Sequence, residues 1–151
     1  MRFFAFLVCC LVLGQNINAQ DNTVGLIEFD KELTLGGYTL LYPERQSTIF
    51  LIDECGEIVK TWEDQLDARP GSVAYLLENG NILRSKYLSG DPNSNFISGG
   101  AGGIIEILNW ENELLWSYEV SDSIRIQHHD IHFTSQGTVM LLVWERKTLE
   151  D

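Results

Sequence analysis

The stretch RIQHHDIHF, Arg125 to Phe133, holds all three histidines of the 151-residue chain, His128, His129 and His132, around one aspartate, Asp130. Imidazole ordinarily titrates near neutrality, so a histidine pair suits proton transfer or the polarisation of an anionic or phenolic group. Asp130 could hold one ring in a chosen tautomer. Arg125, just upstream, and Arg84, at the end of another apolar run, carry guanidinium groups that could clamp a sulfate or phosphate. His128, Asp130 and His132 also match metal-ligand types. Ligands two apart on one strand stand about 6.5–7 Å apart at the backbone, so they converge poorly, and no metal is assigned. The plain alternatives are a hydrogen-bonded structural imidazole pair and solvated surface arginines.

What these residues do depends on the strand that carries them. If that strand is regular from His128, then His128, Asp130 and His132 share one face, and His129 shares the other with Ile131 and Phe133. His132, further along, is expected to pack or face solvent.

Elsewhere the runs are short, rich in Val, Ile, Leu, Tyr and Trp, and punctuated by Gly and Asn, which is the signature of strands and hairpins. No helical period spans ten residues beyond the N-terminal segment. Hairpins are expected around Cys55-Gly56, Asn79-Gly80, Glu111-Asn112 and Gln136-Gly137, with Asn79-Gly80 as a tight two-residue turn. An internal repeat is visible. FLIDECGEIVKTWE (50–63) aligns with EILNWENELLWSYE (106–119) at an offset of 56, and GSVAYLLENGNILRS (71–85) with HHDIHFTSQGTVMLL (128–142) at 57. Gly56 aligns with Asn112, Gly80 with Gly137, Trp62 with Tyr118, and Ser72 with His129.

Four strands per unit of about 50 residues is the arithmetic of a β-propeller blade. The expected fold is therefore all-β, a partial propeller of about two four-stranded antiparallel blades from a ring of about six. One blade would run Val73 to Glu78, Asn81 to Lys86, Gly103 to Asn109 and Leu114 to Val120. The next would open with His129 to Thr134 and Thr138 to Trp144. Two or three blades leave long unpaired edges, so an N-terminal fragment of a longer protein is expected. The loop Ser121 to Gln127, the histidines and the long loop Ser89 to Gly103 would then meet at one mouth of the central channel. The glycines of GGAGG (99–103) fit no nucleotide fingerprint. They read as a connection admitting close backbone approach, or as an anion cradle of backbone N–H groups.

The first segment, MRFFAFLVCCLVLGQNINAQ, has one basic residue and an apolar run from Phe3 to Leu13, too short to span a bilayer. It reads as a signal peptide, residues 1–19, cleaved after Ala19. Residues 20–48 would form an N-terminal strand segment and 49–151 the incomplete blades, with no membrane span in the mature chain. Cys9 and Cys10 would leave with the signal, and Cys55 would remain alone, without an internal disulfide. The net charge of -12 argues against a nucleic-acid partner, because phosphate contacts need a basic face.

Taken together, GGYTLLYP, FLIDECGEIVKTWE, AYLLENGNILRS, GGAGGIIEILNWENELLWSYE and HHDIHFTSQGTVMLLVWE resemble the arylsulfotransferase family over Gly37 to Glu145. That pattern opens on G-Y-T-L and continues with L-I-D-x-x-G-x-x-V-x-x-W, L-x-x-G-N-x-L, a glycine run, I-x-E-x-x-W-x-G-x-x-x-W and H-H-D-I. Asn112 departs from it, standing where the turn glycine is usual. The resemblance implies a six-bladed propeller exported to the bacterial envelope, periplasmic or secreted. Such enzymes move a sulfuryl group from a phenolic sulfate donor to a phenol acceptor through a transiently sulfated histidine, with no nucleotide donor and no cofactor. The H-H-D-I segment supplies a supporting histidine, which maps onto His128 or His129. No histidine follows His132 to match the nucleophile, so the chain alone is expected to be inactive. The competing expectation is a non-catalytic secreted propeller that uses the channel mouth for binding or as a scaffold.

Overall fold

A computed structural model describes residue 26 and residues 28–66, 68–88 and 99–149. The expected signal peptide and most of the long loop Ser89 to Gly103 lie outside the described residues. The chain divides into two units, Met1–Leu33 and Thr34–Asp151. The described part of the first contains a turn in which the Leu33 N–H donates to the Asp30 carbonyl.

The second unit is all-β. Among the described residues its nine strands are β1 (Tyr38–Leu41), β2 (Ile49–Asp53), β3 (Ile58–Trp62), β4 (Pro70–Leu76), β5 (Ile82–Tyr87), β6 (Gly103–Leu108), β7 (Leu114–Glu119), β8 (Arg125–Phe133) and β9 (Val139–Glu145). They form antiparallel sheets ordered β1-β2-β3, β4-β5-β6-β7 and β8-β9. Among the described residues, no helix is long and apolar enough to cross a membrane.

The hairpins share one turn. Leu77 N–H donates to Asn81 O at 2.8 Å and Gly80 N–H to Leu77 O at 2.9 Å. The same pair of bonds recurs at Asp53/Glu57, Asn109/Glu113 and Thr134/Thr138. Each loop is thus three residues long, not the two expected at Asn79-Gly80. A three-residue hairpin ends on a left-handed residue, and Gly56, Gly80, Asn112 and Gly137 take φ of 80, 84, 69 and 78°. Asparagine tolerates that region better than most side chains, which explains Asn112 in a glycine position.

The repeat is geometric as well as sequential. In β4–β5, Leu76 pairs with Ile82, Ala74 with Arg84 and Pro70 with Lys86, with a bulge between Pro70 and Ala74. In β8–β9, Phe133 pairs with Val139, Ile131 with Leu141 and Gln127 with Val143, with a bulge between Gln127 and Ile131. Every position is displaced by 57. Likewise β2–β3 pairs Ile49 with Trp62 and Leu51 with Lys60, and β6–β7 pairs Ile105 with Tyr118 and Ile107 with Trp116, displaced by 56.

Alternation along the strands gives the four-stranded sheet two apolar faces. Ile82 and Leu108 pack with Ile49, Leu51 and Trp62 of the first sheet. Leu83, Ile105 and Val120 pack with Ile131 of the third. Burial of each such side chain contributes about 1.5–3 kcal/mol. Polar bonds tie the first two sheets: Trp62 Nε1 donates to Asn109 O at 3.0 Å, and Tyr42 Oη to Ser85 O at 3.3 Å.

Candidate functional site

The third sheet opens earlier than the sequence suggests. β8 begins at Arg125, so Arg125–Gln127 belong to a strand and not to a loop. The turn before it is closed by Asp122, whose carboxylate accepts from the N–H groups of Ile124 and Arg125. Those two amides and the adjacent Arg125 hold the Asp122 carboxyl below its ordinary value against a small opposing desolvation. Arg125 itself is exposed and reaches Asp122 at 3.5 Å.

The bulge between Gln127 and Ile131 breaks the expected parity. His129 takes φ +54°, a region that costs a non-glycine residue about 1–2 kcal/mol. His128 and His129 therefore do not point to opposite faces. Their Nδ1 atoms lie 2.9 Å apart, with the rings 5.2 Å apart and nearly perpendicular. One ring must donate and the other accept, so protonating both sets N–H against N–H and breaks the contact. His128 also stacks on Trp144 at 4.7 Å.

The glycine run supplies the other wall. His129 N–H donates to Gly100 O at 2.7 Å, and Ser72 Oγ reaches the same carbonyl at 3.3 Å. Ala101 bridges to His128, and Gly102 N–H donates to Gln127 O at 2.8 Å. A Cβ at Gly100 would enter the His129 ring, and one at Gly102 the Gln127 carboxamide. Close backbone approach is thus what these two glycines provide. Ser72, the counterpart of His129, also has a positive φ, 146°.

Asp130 does not orient a histidine. Its Oδ1 accepts from Tyr75 Oη at 2.6 Å and from the Ile131 N–H at 2.8 Å. The bond to Asp130, with lesser burial and charge effects, pushes the Tyr75 phenol above its ordinary value. His132 is exposed and pairs across the strands with Met140. It lines an open cavity of about 840 Å³ with Tyr75, Leu77, Phe133 and Thr134. Among the described residues no three His, Cys, Asp or Glu side chains could hold a metal ion.

Arg84 corrects the expectation most clearly. It is buried, 2% exposed. Its Nη2 meets Asp64 Oδ2 at 2.6 Å and Glu106 Oε2 at 2.7 Å, while Lys86 Nζ lies 2.8 Å from Asp64 Oδ2 and from Glu106 Oε1. The four charges cancel in a nearly dry site. Burial pushes Asp64 up. Bonds from Lys86 and the Ala68 and Leu66 amides, and the charge of Arg84, outweigh it and hold the carboxyl below its ordinary value. Burial, opposed by Arg84 and reinforced by both carboxylates, pushes the neighbouring Tyr42 phenol up to about 12. Nε and Nη2 of the guanidinium are thus committed to two carboxylates, while Nη1 has no hydrogen-bond partner among the described residues.

Sequence reasoning missed Tyr75 and Trp144 as neighbours of the histidines, whereas Gly100 belongs to the loop Ser89 to Gly103 expected to meet them, and it does. The repeat offset could have found the first two, since it aligns Tyr75 with His132 and Tyr87 with Trp144. It also missed Asp64, Lys86 and Glu106; Arg84 and Lys86, two apart inside an apolar strand, were the available signal. No protein-family model matches the chain, and neither a curated protein nor a solved structure matches it.

Proposed function

We propose that residues 34–149 are the opening blades of an exported β-propeller of arylsulfotransferase type, in which His128 and His129 support sulfuryl transfer from a phenolic sulfate ester to a phenol. The observation that carries this reading is the 2.9 Å Nδ1···Nδ1 contact of the two imidazoles, held between Gly100 and Trp144 at the bulge of an edge strand. Stacked repeat sheets, with β4 and β8 in equivalent positions, support the propeller.

The Nδ1···Nδ1 bond occupies one nitrogen of each ring. An Nε2–H of the pair can donate a hydrogen bond to a sulfuryl oxygen or to the departing phenolate oxygen. In the transfer, the ester S–O bond breaks and the phenolate takes up a proton. Sulfur passes to an imidazole nitrogen elsewhere in the longer protein and then to the acceptor phenol, whose proton is lost. His128 and His129 are supporting groups; the nucleophile lies outside these 151 residues. Arg125, on the same strand as the pair, is an exposed cation with Asp122 as its partner.

The commitments of Arg84 and Asp130 to other partners favour a second reading, a non-catalytic propeller that binds an aryl anion at the same pair. The discriminating experiment takes the protein from the full reading frame around these residues, with p-nitrophenyl sulfate as donor and phenol as acceptor. Acceptor-dependent release of p-nitrophenol, reduced about 10²–10⁴-fold in His129→Ala, supports the enzyme. Aryl sulfate binding without turnover supports the binding module, and neither result refutes both.

A further inference from the structure

The repeat equivalence exposes an unfilled position. β4–β5 corresponds to β8–β9, and β2–β3 to β6–β7, position by position. On the edge where β5 pairs with β6, β9 pairs with no strand among the described residues. The faces agree with the edges. Trp62 is 0% exposed because the β6–β7 hairpin covers it: Leu108 packs on it, Asn109 O accepts its indole N–H, and Trp110 meets it edge-on at 5.3 Å. Its counterpart Tyr118 is 52% exposed and stacks only on Trp116, itself 39% exposed, at 6.0 Å. Ile58 and its counterpart Leu114 provide the control. Both are exposed, at 61% and 55%, although only Ile58 belongs to a sheet with a β6–β7 hairpin over it. The difference at Trp62 and Tyr118 is therefore not a general difference in exposure between the two hairpins.

We infer that the outer edge of β9, with Tyr118 and Trp116, is a docking surface for one further antiparallel β-hairpin of the β6–β7 type. This hairpin is a polypeptide segment outside residues 26–149. Its first strand pairs with β9 as β6 pairs with β5. Its turn lies over Tyr118 as Asn109 and Trp110 lie over Trp62, and a turn carbonyl accepts from the Tyr118 hydroxyl in place of the indole bond. An open edge with apolar aromatics beside it is otherwise a site of edge-to-edge pairing, and addition of a strand satisfies its backbone groups and covers the rings together. The inference rests on the propeller part of the proposed function and not on histidine chemistry, so its failure leaves the sulfuryl-transfer test unaffected.

The test adds a synthetic peptide of residues 102–120, the chain's own outer hairpin, to the 151-residue chain. Amide exchange in β9 and nitration of Tyr118 are followed. Saturable slowing of both by about tenfold or more, absent with a scrambled peptide, is the expected result. Tyr118→Lys, which alters an exposed side chain and leaves the fold intact, weakens the effect. Two results overturn the inference. One is a folded chain whose β9 amides and Tyr118 are unaffected by the peptide. The other is protection already present without peptide and rising with chain concentration, which assigns the edge to a second copy.

Discussion

Replacing Asp64 with Asn keeps the shape of the side chain and deletes one of the four charges buried with Arg84, Lys86 and Glu106. In the parent, Asp64 Oδ2 bonds both cations, at 2.6 and 2.8 Å, while Oδ1 accepts the amides of Leu66 and Ala68. The carboxamide oxygen can retain the amide bonds, but its NH₂ then faces two donors. Glu106 is left to balance two cations. An uncompensated buried charge costs about 3–5 kcal/mol, a large part of the total of about 5–15 kcal/mol for a domain. With a urea slope of about 1.5 kcal/mol per molar, the unfolding midpoint falls by about 2–3 M. The pH dependence has a defined sign. The Asp64 carboxyl is held below its ordinary 3.8 in the folded chain, so its contribution is present above that value and is lost as pH falls through the lower folded one. Parent and variant are therefore separated by a constant gap at neutral pH and converge in strong acid. The joint change Asp64→Asn, Arg84→Met, Lys86→Met and Glu106→Leu, which removes every charge and keeps an acceptor for the Leu66 and Ala68 amides, is expected to recover most of the Asp64→Asn loss. A loss below about 1 kcal/mol for Asp64→Asn, the scale of exposed pairs, refutes the dry quartet.

Tyr42 gives an alkaline counterpart: with its phenol raised from 10.0 to about 12, the parent loses about 2–3 kcal/mol as pH rises from 10 to 12, and Tyr42→Phe lacks this phase in pH-dependent denaturation. Trp62→Ala costs about 3–5 kcal/mol, whereas Tyr118→Ala, at the equivalent exposed position, changes stability by less than about 0.5 kcal/mol; equal losses in thermal or urea melts contradict the packing described. Gly100→Ala forces a Cβ into the His129 ring at a position with φ +69°, costs about 1–3 kcal/mol, and separates the two imidazoles, which nitrogen-resolved NMR of the ring atoms reports.

The strands and hairpins were legible because turn residues and alternating apolar runs announce them locally. Gly56, Gly80 and Gly137 stood where left-handed φ is needed, and Asn112 was recognisable as their stand-in. The offsets of 56 and 57 carried through to register, bulges and facing residues. Loop length was misread, since Asn-Gly serves the end of a three-residue loop as well as a two-residue one. The arrangement of the histidines was not legible. A bulge resets parity, and although the loop Ser89 to Gly103 was expected beside the histidines, the left-handed His129 that its Gly100 carbonyl holds was not. Nor was the fate of Arg84. On a strand it reads as an exposed cation, and only the fold brings Asp64 and Glu106, 20 and 22 residues distant, onto it.

The role proposed for His128 and His129 is tested most directly by titrating p-nitrophenyl sulfate into the ¹⁵N-labelled 151-residue chain while following the ring nitrogens of the three histidines. Saturable shifts of His128 and His129, abolished in Gly100→Ala and accompanied by little change at His132, are the predicted result. Unmoved rings at saturating aryl sulfate, or shifts centred on His132, contradict the site.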